Sequence, residues 1–341
     1  MLKELFGVTD EIIPGNTYAQ RLKLLYLKDI FLKYTNDNQA LTRTQIEEKL
    51  EEFGVSEGRK AFAEDIEALR AYGMDIQATT GRTASYQLSS REFELAELKL
   101  LADAVGSSKF LTVKQSADLL EKIESLCSEG EAREIHRNVF VTGRPKQPNK
   151  AVLYNIDTIH RAIAGENGKF KIAFKYFEYD VNKKKKYRDK PRKCSPYALV
   201  WDRDHYYLVA WNDHRECYSN YRVDRMESVR ITDEPAKPLE HDFDLASYVT
   251  THISMFSGEE TEVKLYCDKS IVNAVLDKFG MNVRIIPDND GEHFTVFLNV
   301  VTKAPFYAWV FQFGGKATVV APDEIREEYL DMLRNASEFK S

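Results

Sequence analysis

Residues 205–211, which read HYYLVAW, restrict the fold of this chain more than any other segment. Three large aromatic residues, Tyr206, Tyr207 and Trp211, stand in these seven positions, and no charge follows until Asp213. A run this short and this aromatic predicts a buried β-strand. Adjacent strand residues point to opposite faces of a sheet, so the two tyrosines cannot both fill the same core. One of them must serve a second surface.

The neighbouring sequence predicts more antiparallel strands with short turns between them. Residues 195–204 and 216–232 have the same strand-like character as HYYLVAW. Residues 169–180 alternate, and one predicted face of that strand carries Phe170, Ile172, Phe174 and Tyr176. Strands spaced this closely predict a small, strongly curved sheet or a barrel.

The first ninety residues predict three helices followed by a hairpin around Gly81. Thr44 and Glu47 form a candidate capping box for the second helix, and the third helix follows Ser56. This order is typical of a winged helix-turn-helix domain, whose third helix enters the major groove of DNA. The candidate DNA contacts are Ser56, Arg59, Lys60 and, at the hairpin tip, Arg82.

The rest of the chain adds a connector and a C-terminal domain. Residues 93–129 contain two helical stretches that predict a connector or a dimerisation surface, and 142–150 have the Gly and Pro content of a linker. The last hundred residues predict a βαββαβ order with a final helix, which is ferredoxin-like in type. We therefore expect an α+β multidomain chain with a DNA-binding domain at 1–90, a helical connector at 91–149, an effector-binding domain at 150–235 and a C-terminal domain at 236–341.

Charge is distributed unevenly along the chain. The net charge is −6, yet Lys150–Arg230 contains eighteen Lys and Arg against eleven Asp and Glu, a balance of +7. Such an asymmetry favours an anionic partner for this region. Residues 1–90 carry eleven basic and fourteen acidic residues, a balance of −3. That domain can bind DNA only if its cations collect on one face.

Sequence motifs for catalysis or metal binding are missing. GxSxG and HExxH do not occur, and Gly314-Gly315-Lys316 lacks the upstream glycine of a phosphate-binding loop because Val310 stands there. The four cysteines form no CxxC pair. We expect no enzymatic activity, no cofactor and no metal. With no signal peptide and no membrane span predicted, we expect a cytoplasmic protein.

Residues 195–231 resemble the WYL domain of bacterial WYL-type transcriptional regulators. That pattern has a proline ahead of a strand, a Trp-Tyr-Leu triplet and a final Arg-x-Asp-Arg-Ile. Its positions are held here by Pro196, by Tyr206, Tyr207 and Leu208 with Tyr in place of Trp, and by Arg222, Asp224, Arg225 and Met226. Three further segments resemble the family's recognition helix, the helix that leads into the WYL domain, and the C-terminal extension called WCX. They are GRKAFAEDIEALRAYGMDI, NIDTIHRAI and FYAWVFQFGGKATVVAPDEIREEYLDML.

This resemblance implies a winged helix-turn-helix, a WYL domain of the Sm-like SH3-type β-barrel and a ferredoxin-like WCX domain. It also implies a homodimeric regulator that binds double-stranded DNA and a negatively charged effector, either a nucleotide or a short single-stranded nucleic acid. By position, the effector site would include Tyr206, Tyr207, Arg222 and Arg225. Tyr176 and Lys193 would extend it, and we expect Tyr206 to face the core and Tyr207 the effector.

The residue types fit such a site, because aromatic rings stack on bases and guanidinium groups bind phosphates. In a regular strand, however, Arg222 and Arg225 face opposite ways, so they share a site only if the strand bends or ends between them. A surface salt bridge between Asp224 and Arg225 is the structural alternative. Two other functions stay open: an accessory or defence-associated nucleic-acid-binding protein that acts mainly through its WYL barrel, and a small-molecule metabolic sensor.

Overall fold

The chain folds into two units, Met1–Lys146 and Gln147–Ser341, and each contains helices and antiparallel sheet. The structure is a computed structural model. The residues that it describes are 17–56, 58–79, 83–138, 146, 148–165, 169–187, 190–241, 243–252, 255, 256 and 258–338. The predicted division into four domains stays a prediction.

The first part of the N-terminal unit is a small helical bundle with a three-stranded sheet. Its elements are α1 (Thr17–Arg21), α2 (Lys23–Tyr34), β1 (Leu41–Thr42), α3 (Arg43–Glu51), α4 (Arg59–Ala71), β2 (Ile76–Thr79) and β3 (Ser85–Leu88). The strands are antiparallel in the order β1–β3–β2. One apolar core joins the helices to the sheet and includes Leu27, Phe31, Ile46, Leu50, Phe62, Ile66, Ile76 and Leu88.

Helix α3 begins two residues before the predicted capping box. The Thr42 hydroxyl accepts from the Gln45 backbone N–H at 3.3 Å, and the Gln45 side chain accepts from the Thr42 N–H at 2.8 Å. The prediction of Thr44 and Glu47 was therefore wrong. Thr42 is the last extended residue because it pairs with Ser85 in the sheet, so the helix starts directly after it. Glu47 instead forms an ion pair with Arg43 one turn away.

Three helices complete the N-terminal unit: α5 (Leu95–Ser107), α6 (Val113–Glu124) and α7 (Glu129–Asn138). The sequence had predicted two. Lys146 is the last residue of this unit, and its side chain binds α5 and α6. Its ammonium donates to the carbonyls of Gly106 and Ser108 at 2.7 and 2.8 Å and to the Ser116 hydroxyl at 3.0 Å. These acceptors join α5 to α6, so the lysine anchors the end of the unit.

The C-terminal unit begins with α8 (Val152–Ala164), which ends at Gly165 in the left-handed conformation, with φ of 67°. Its first sheet contains β4 (Phe170–Tyr179), β5 (Lys185–Tyr187), β6 (Arg192–Asp202), β7 (His205–Asn212), β8 (Cys217–Arg222) and β9 (Met226–Pro235). The order is β5–β4–β6–β7–β8, and β9 returns to pair with β4. The sheet therefore curls on itself, as the strand spacing predicted. Its inner core includes Ile159, Ile172, Phe174, Leu208, Ala210, Tyr221, Val223 and Met226.

Helix α9 (Leu245–Thr251) leads to a second antiparallel sheet. The strands β10 (Glu260–Asp268), β11 (Arg284–Pro287), β12 (His293–Val301) and β13 (Ala317–Ala321) lie in the order β11–β12–β10–β13. The intervening helices are α10 (Val272–Phe279) and α11 (Ala304–Phe311), and α12 (Asp323–Glu338) follows β13. Residues from these helices pack on one face of the sheet, against Val263, Leu265, Val296, Leu298 and Val319. In the described part of the chain, no helix combines the length and the apolar character that crossing a bilayer demands.

His252, directly after α9, makes the C-terminal unit sensitive to acid. The imidazole is 4% exposed, stacks on Tyr248 with ring centroids 3.7 Å apart, and donates from Nδ1 to the Tyr248 carbonyl at 2.8 Å. Burial lowers the pKa of His252 below 6.5, and this effect outweighs the hydrogen bond to Tyr248 and the charge of Glu260. The folded protein therefore holds the neutral ring more firmly than the unfolded chain does.

We expect the C-terminal unit to lose stability as pH falls below about 6.5, because only the unfolded chain then binds the proton. The loss should approach about 1.4 kcal/mol for each pH unit between the two pKa values. Tryptophan fluorescence measures this directly, since Trp201, Trp211 and Trp309 all lie in this unit. His252→Gln should flatten the dependence of the unfolding midpoint on pH between 7.5 and 5.5. His214→Gln, at an exposed histidine, is the control and should leave it unchanged.

Candidate functional site

The two tyrosines of HYYLVAW lie on opposite faces of β7. Tyr206 packs with the inner core of the curled sheet, and its ring meets Trp201 edge to face, with centroids 4.8 Å apart. Tyr207 packs on the other face with Val209 and with Tyr248 of α9. Burial raises the pKa of Tyr207. The inward placement of Tyr206 agrees with our expectation, whereas contact between Tyr207 and an effector stays a prediction.

A tight turn separates the two arginines. Strand β8 ends at Arg222, and Val223–Arg225 form a single 3₁₀ turn before β9 begins at Met226. The chain thus stops being a regular strand between Arg222 and Arg225, which is the condition under which both can serve one region. Two buried asparagines from the start of α8 hold this turn. Asn149 donates to the carbonyls of Asp224 and Met226 at 3.0 and 3.1 Å, and Asn155 donates to the Met226 carbonyl at 3.0 Å.

Asp224 is a buried carboxylate, and it pairs with Arg222. The carboxylate is 2% exposed, and the guanidinium donates to it twice, from Nε at 3.1 Å and from Nη2 at 2.8 Å. Nη2 also lies 3.0 Å from Nε2 of His205. Burial alone would lower the pKa of Arg222, but the hydrogen bonds and charge of Asp224 outweigh it and raise that pKa. The carboxylate that the sequence suggested for a surface salt bridge is therefore buried, and it pairs with Arg222.

Arg225 has a different environment. Its guanidinium carbon lies 4.9 Å from the centroid of the Tyr179 ring, at the end of β4. Among the described residues, neither the buried Nε of Arg225 nor the buried hydroxyl of Tyr179 has a hydrogen-bond partner. Buried polar groups in folded proteins are nearly always paired, so these two atoms differ from most buried polar atoms.

Tyr176 lies close to both arginines. Its hydroxyl accepts from the Arg222 backbone N–H at 3.3 Å, and its ring meets Tyr221 edge to face at 5.6 Å. Burial raises the pKa of Tyr176, while the charges of Arg222 and Arg225 lower it, so both cations lie near this hydroxyl. Lys193 does not join this group, because it pairs with Glu234 of β9. The structure therefore brings Tyr176 close to Arg222 and Arg225. Tyr207 pairs with Arg222 across the β7–β8 ladder, and Tyr206 packs with the inner core.

The predicted DNA contacts lie at the start of α4. Arg59 and Lys60 are exposed in its first turn, and Gly58 precedes the helix. Ser56 is exposed, and its carbonyl accepts from the Gln20 side chain at 3.2 Å. Arg82 lies outside the described residues. The exposed side of α4 beyond its first turn includes Glu64 and Glu67.

Sequence reasoning missed three residues that lie beside the two arginines. Tyr179 ends the strand that contains Tyr176, and its side chain meets Arg225 only because β9 pairs with β4. His205 had no role in the predicted site, and Asp224 was considered as part of a surface salt bridge. The available signal for a buried ion pair was the sequence Arg222-Val223-Asp224-Arg225-Met226, in which an aspartate lies between two arginines and next to apolar residues. This pattern does not show which arginine the aspartate binds.

We expect Arg222→Ala to lower the free energy of unfolding of the C-terminal unit by about 3–5 kcal/mol, because it leaves the Asp224 carboxylate buried without its cation. Arg222→Lys should cost much less, since a positive charge stays near the carboxylate. Arg230→Ala, at an exposed arginine on β9, is the control and should change stability by less than about 0.5 kcal/mol. Denaturation followed by tryptophan fluorescence distinguishes the three. If Arg222→Ala and Arg230→Ala lower the free energy of unfolding equally, the ion pair between Arg222 and Asp224 does not stabilise the unit.

Comparisons with known proteins place two domain families on the chain. A family model described as "WYL domain" matches residues 154–231, and one described as "WCX domain" matches residues 259–337. No curated protein matches. Among solved structures, proteasome accessory factor B/C (PafBC) of Arthrobacter aurescens shares 18% identity over 93% of this chain and 47% of its own, with a TM-score of 0.27.

This chain thus spans about half the length of the PafBC chain. A CRISPR Cas-related protein of known structure shares 16% identity over 98% of this chain and 89% of its own, with a TM-score of 0.37. Overall likeness at this level carries no functional conclusion, whereas the two domain matches cover the curled sheet with its arginine cluster and the four-stranded sheet that follows. The chain therefore contains a WYL domain followed by a C-terminal WCX domain.

Proposed function

We propose that this protein is a DNA-binding transcriptional regulator whose WYL domain binds a negatively charged effector, either a nucleotide or a short single-stranded nucleic acid. Effector binding would change the affinity of a homodimer for its operator. The arginine and tyrosine cluster at the Val223–Arg225 turn is the observation that supports this proposal most. We also propose that the protein acts by binding alone, as a cytoplasmic regulator without enzymatic activity.

The cluster combines a hydrogen-bond donor with an aromatic ring, and both suit an anionic effector. Arg225 has a buried donor that lacks a partner in the described chain, and the neighbouring Tyr179 ring supplies a flat surface. A guanidinium group binds phosphate oxygens through charge-assisted hydrogen bonds, and an aromatic ring stacks on a base. Arg222 is already bound to Asp224, so its role in this proposal is to position the turn.

We infer the following architecture from the order of elements. Helices α2, α3 and α4 followed by the β2–β3 hairpin support a winged helix-turn-helix, and α5 to α7 support a helical connector. The curled sheet in which β9 pairs with β4 supports an Sm-like SH3-type barrel. The strand order β11–β12–β10–β13, with helices packed on one face, supports a ferredoxin-like WCX domain.

Arg59 and Lys60 lie at the N-terminal end of α4, where the helix dipole also favours phosphate. The exposed Glu64 and Glu67 favour the second candidate function, in which the WYL domain supplies the main nucleic-acid-binding activity of an accessory or defence-associated protein. In that case α4 would contribute to assembly rather than to DNA binding. Substitutions that change the charge on the exposed surface of α4 therefore test the two functions against each other.

We expect Arg59→Ala with Lys60→Ala to weaken duplex DNA binding and to lower its salt dependence by about two charges, because two phosphate contacts are lost. Glu64→Gln with Glu67→Gln should strengthen it, roughly tenfold at low salt, since both substitutions remove repulsion from the same surface. Fluorescence anisotropy with labelled duplex DNA across a salt series measures both. If neither double variant changes affinity, α4 is not the DNA-contact helix and the second function is favoured.

For the effector site, we expect Arg225→Gln to weaken nucleotide binding about tenfold or more, because a hydrogen bond to a charged group contributes about 1.5–3 kcal/mol. The probes are fluorescent nucleoside mono-, di- and triphosphates, and Arg230→Gln on the next strand is the matched control. Duplex affinity without nucleotide should stay unchanged in both variants. Binding that is equally strong in Arg225→Gln and Arg230→Gln would rule out the arginine cluster as the effector site.

A further inference from the structure

The WCX sheet has a second face that its helices do not cover. The side chains on one face form the domain core, so those at alternate positions of the same strands point the other way. These alternate residues are exposed or partly exposed, except Val301 at the end of β12, which is buried. On the two central strands they include Lys264, Tyr266, Thr295 and Phe297. We call this surface the open face of the WCX sheet.

Phe297 lies at the centre of the open face with a cation on each side. It pairs across the ladders with Lys264 of β10 and Arg284 of β11. The Arg284 guanidinium carbon lies 4.4 Å from the centroid of the Phe297 ring, and the Lys264 ammonium lies 5.9 Å from it. An arginine plane on an aromatic ring is itself a stacking surface for a nucleobase, and the lysine is placed to meet a phosphate.

A second aromatic pair lies next to the first. Tyr266 stacks on His293, with ring centroids 5.0 Å apart and an angle of 16° between the planes. Tyr266 pairs with Thr295, two residues from Phe297 on the same face. Diagonal neighbours of this kind have Cβ atoms roughly 7 Å apart, so the two stacks form a single surface.

Acidic residues limit the length of this surface. The Tyr266 hydroxyl donates to Asp288 at 2.9 Å, and Asp290 binds the His293 imidazole at 2.5 Å. Glu262 is exposed on β10 at the other end, beyond Lys264. A phosphate backbone would be repelled at both margins, so the favourable region accommodates a few nucleotides rather than a long strand.

We propose that the open face of the WCX sheet binds a segment of two or three nucleotides of single-stranded nucleic acid. Bases stack on the Phe297–Arg284 and Tyr266–His293 pairs, while Lys264 and Arg284 bind the phosphates. Aromatic side chains on the central strands of a four-stranded sheet bind single strands elsewhere in this way. A protein partner fits less well, because an apolar contact would have to bury both cations without a matching acid. This site is separate from the arginine cluster of the WYL domain and does not depend on the proposed effector.

The test compares two variants of the open face with two matched controls in the full chain. Phe297→Leu removes the ring and Arg284→Gln removes the cation. Phe311→Leu and Arg326→Gln make the same changes at exposed positions of α11 and α12, in the same domain. The probes are fluorescein-labelled six-nucleotide strands of thymidine and uridine and an abasic strand of equal length, measured by anisotropy in about 50 mM salt.

We expect Phe297→Leu and Arg284→Gln to weaken binding of the thymidine or uridine strand by at least roughly fivefold, the effect of losing one stacked base. The two controls should change it by less than twofold, and binding of the abasic strand should not depend on Phe297. Tryptophan fluorescence, which includes Trp309 of this domain, verifies folding. If Phe297→Leu fails to fold, Arg284→Gln at the exposed surface decides the outcome.

Repeating the measurements in an Arg225→Gln background separates this site from the WYL cluster. If Phe297→Leu still weakens binding of the single strand in that background, the result supports the open face, whether or not nucleotide binding is lost. Open-face variants that bind like their controls overturn the proposal, even if Arg225→Gln abolishes nucleotide binding and so supports the effector site. A change in oligomeric mass without a change in strand affinity also overturns it, and identifies the face as a protein contact.

Discussion

The first sheet of the C-terminal unit depends on the buried ion pair between Arg222 and Asp224. Strand β9 can return to β4 only if the chain reverses within Val223–Arg225, and this reversal takes a carboxylate out of water. The Arg222 fork balances that charge, and Asn149 and Asn155 bind the carbonyls of the turn. Removing one partner of a buried pair is costly, so the ion pair links the stability of the turn to that of the curled sheet.

Ion pairs across the strands also determine which positive charges of this region have acidic partners. Several cations of this region already have acidic partners, since Lys185 pairs with Glu227, Lys193 with Glu234 and Lys171 with Asp213. Arg225 differs from these residues because its contact in the described structure is a tyrosine ring rather than a carboxylate. A count of charges along the sequence therefore identifies a region rich in cations, but the pairing across strands decides which of them meet a carboxylate.

The strands of the WYL region could be predicted because their alternation reflects burial on one side of a sheet. The opposite orientations of Tyr206 and Tyr207 follow from the same geometry. The pairing of Asp224, the approach of Tyr179 to Arg225 and the separation of Lys193 could not be predicted, because they depend on which distant strands become neighbours. Helix α7 was missed for a related reason. Its predominantly polar sequence, EGEAREIHRN, buries little besides Ile135, so the apolar pattern that indicates a helix is almost absent.

Lys146 and Asn149 are both anchored, one to the carbonyls between α5 and α6 and the other to the Val223–Arg225 turn. Between them the chain contains Gln147 and Pro148. Asn149 donates to the carbonyls of Asp224 and Met226, and its side chain also accepts from the Ala151 N–H at 3.0 Å, so the residues that lead into α8 are fixed to the turn. A displacement of the turn would therefore move the start of α8 with it.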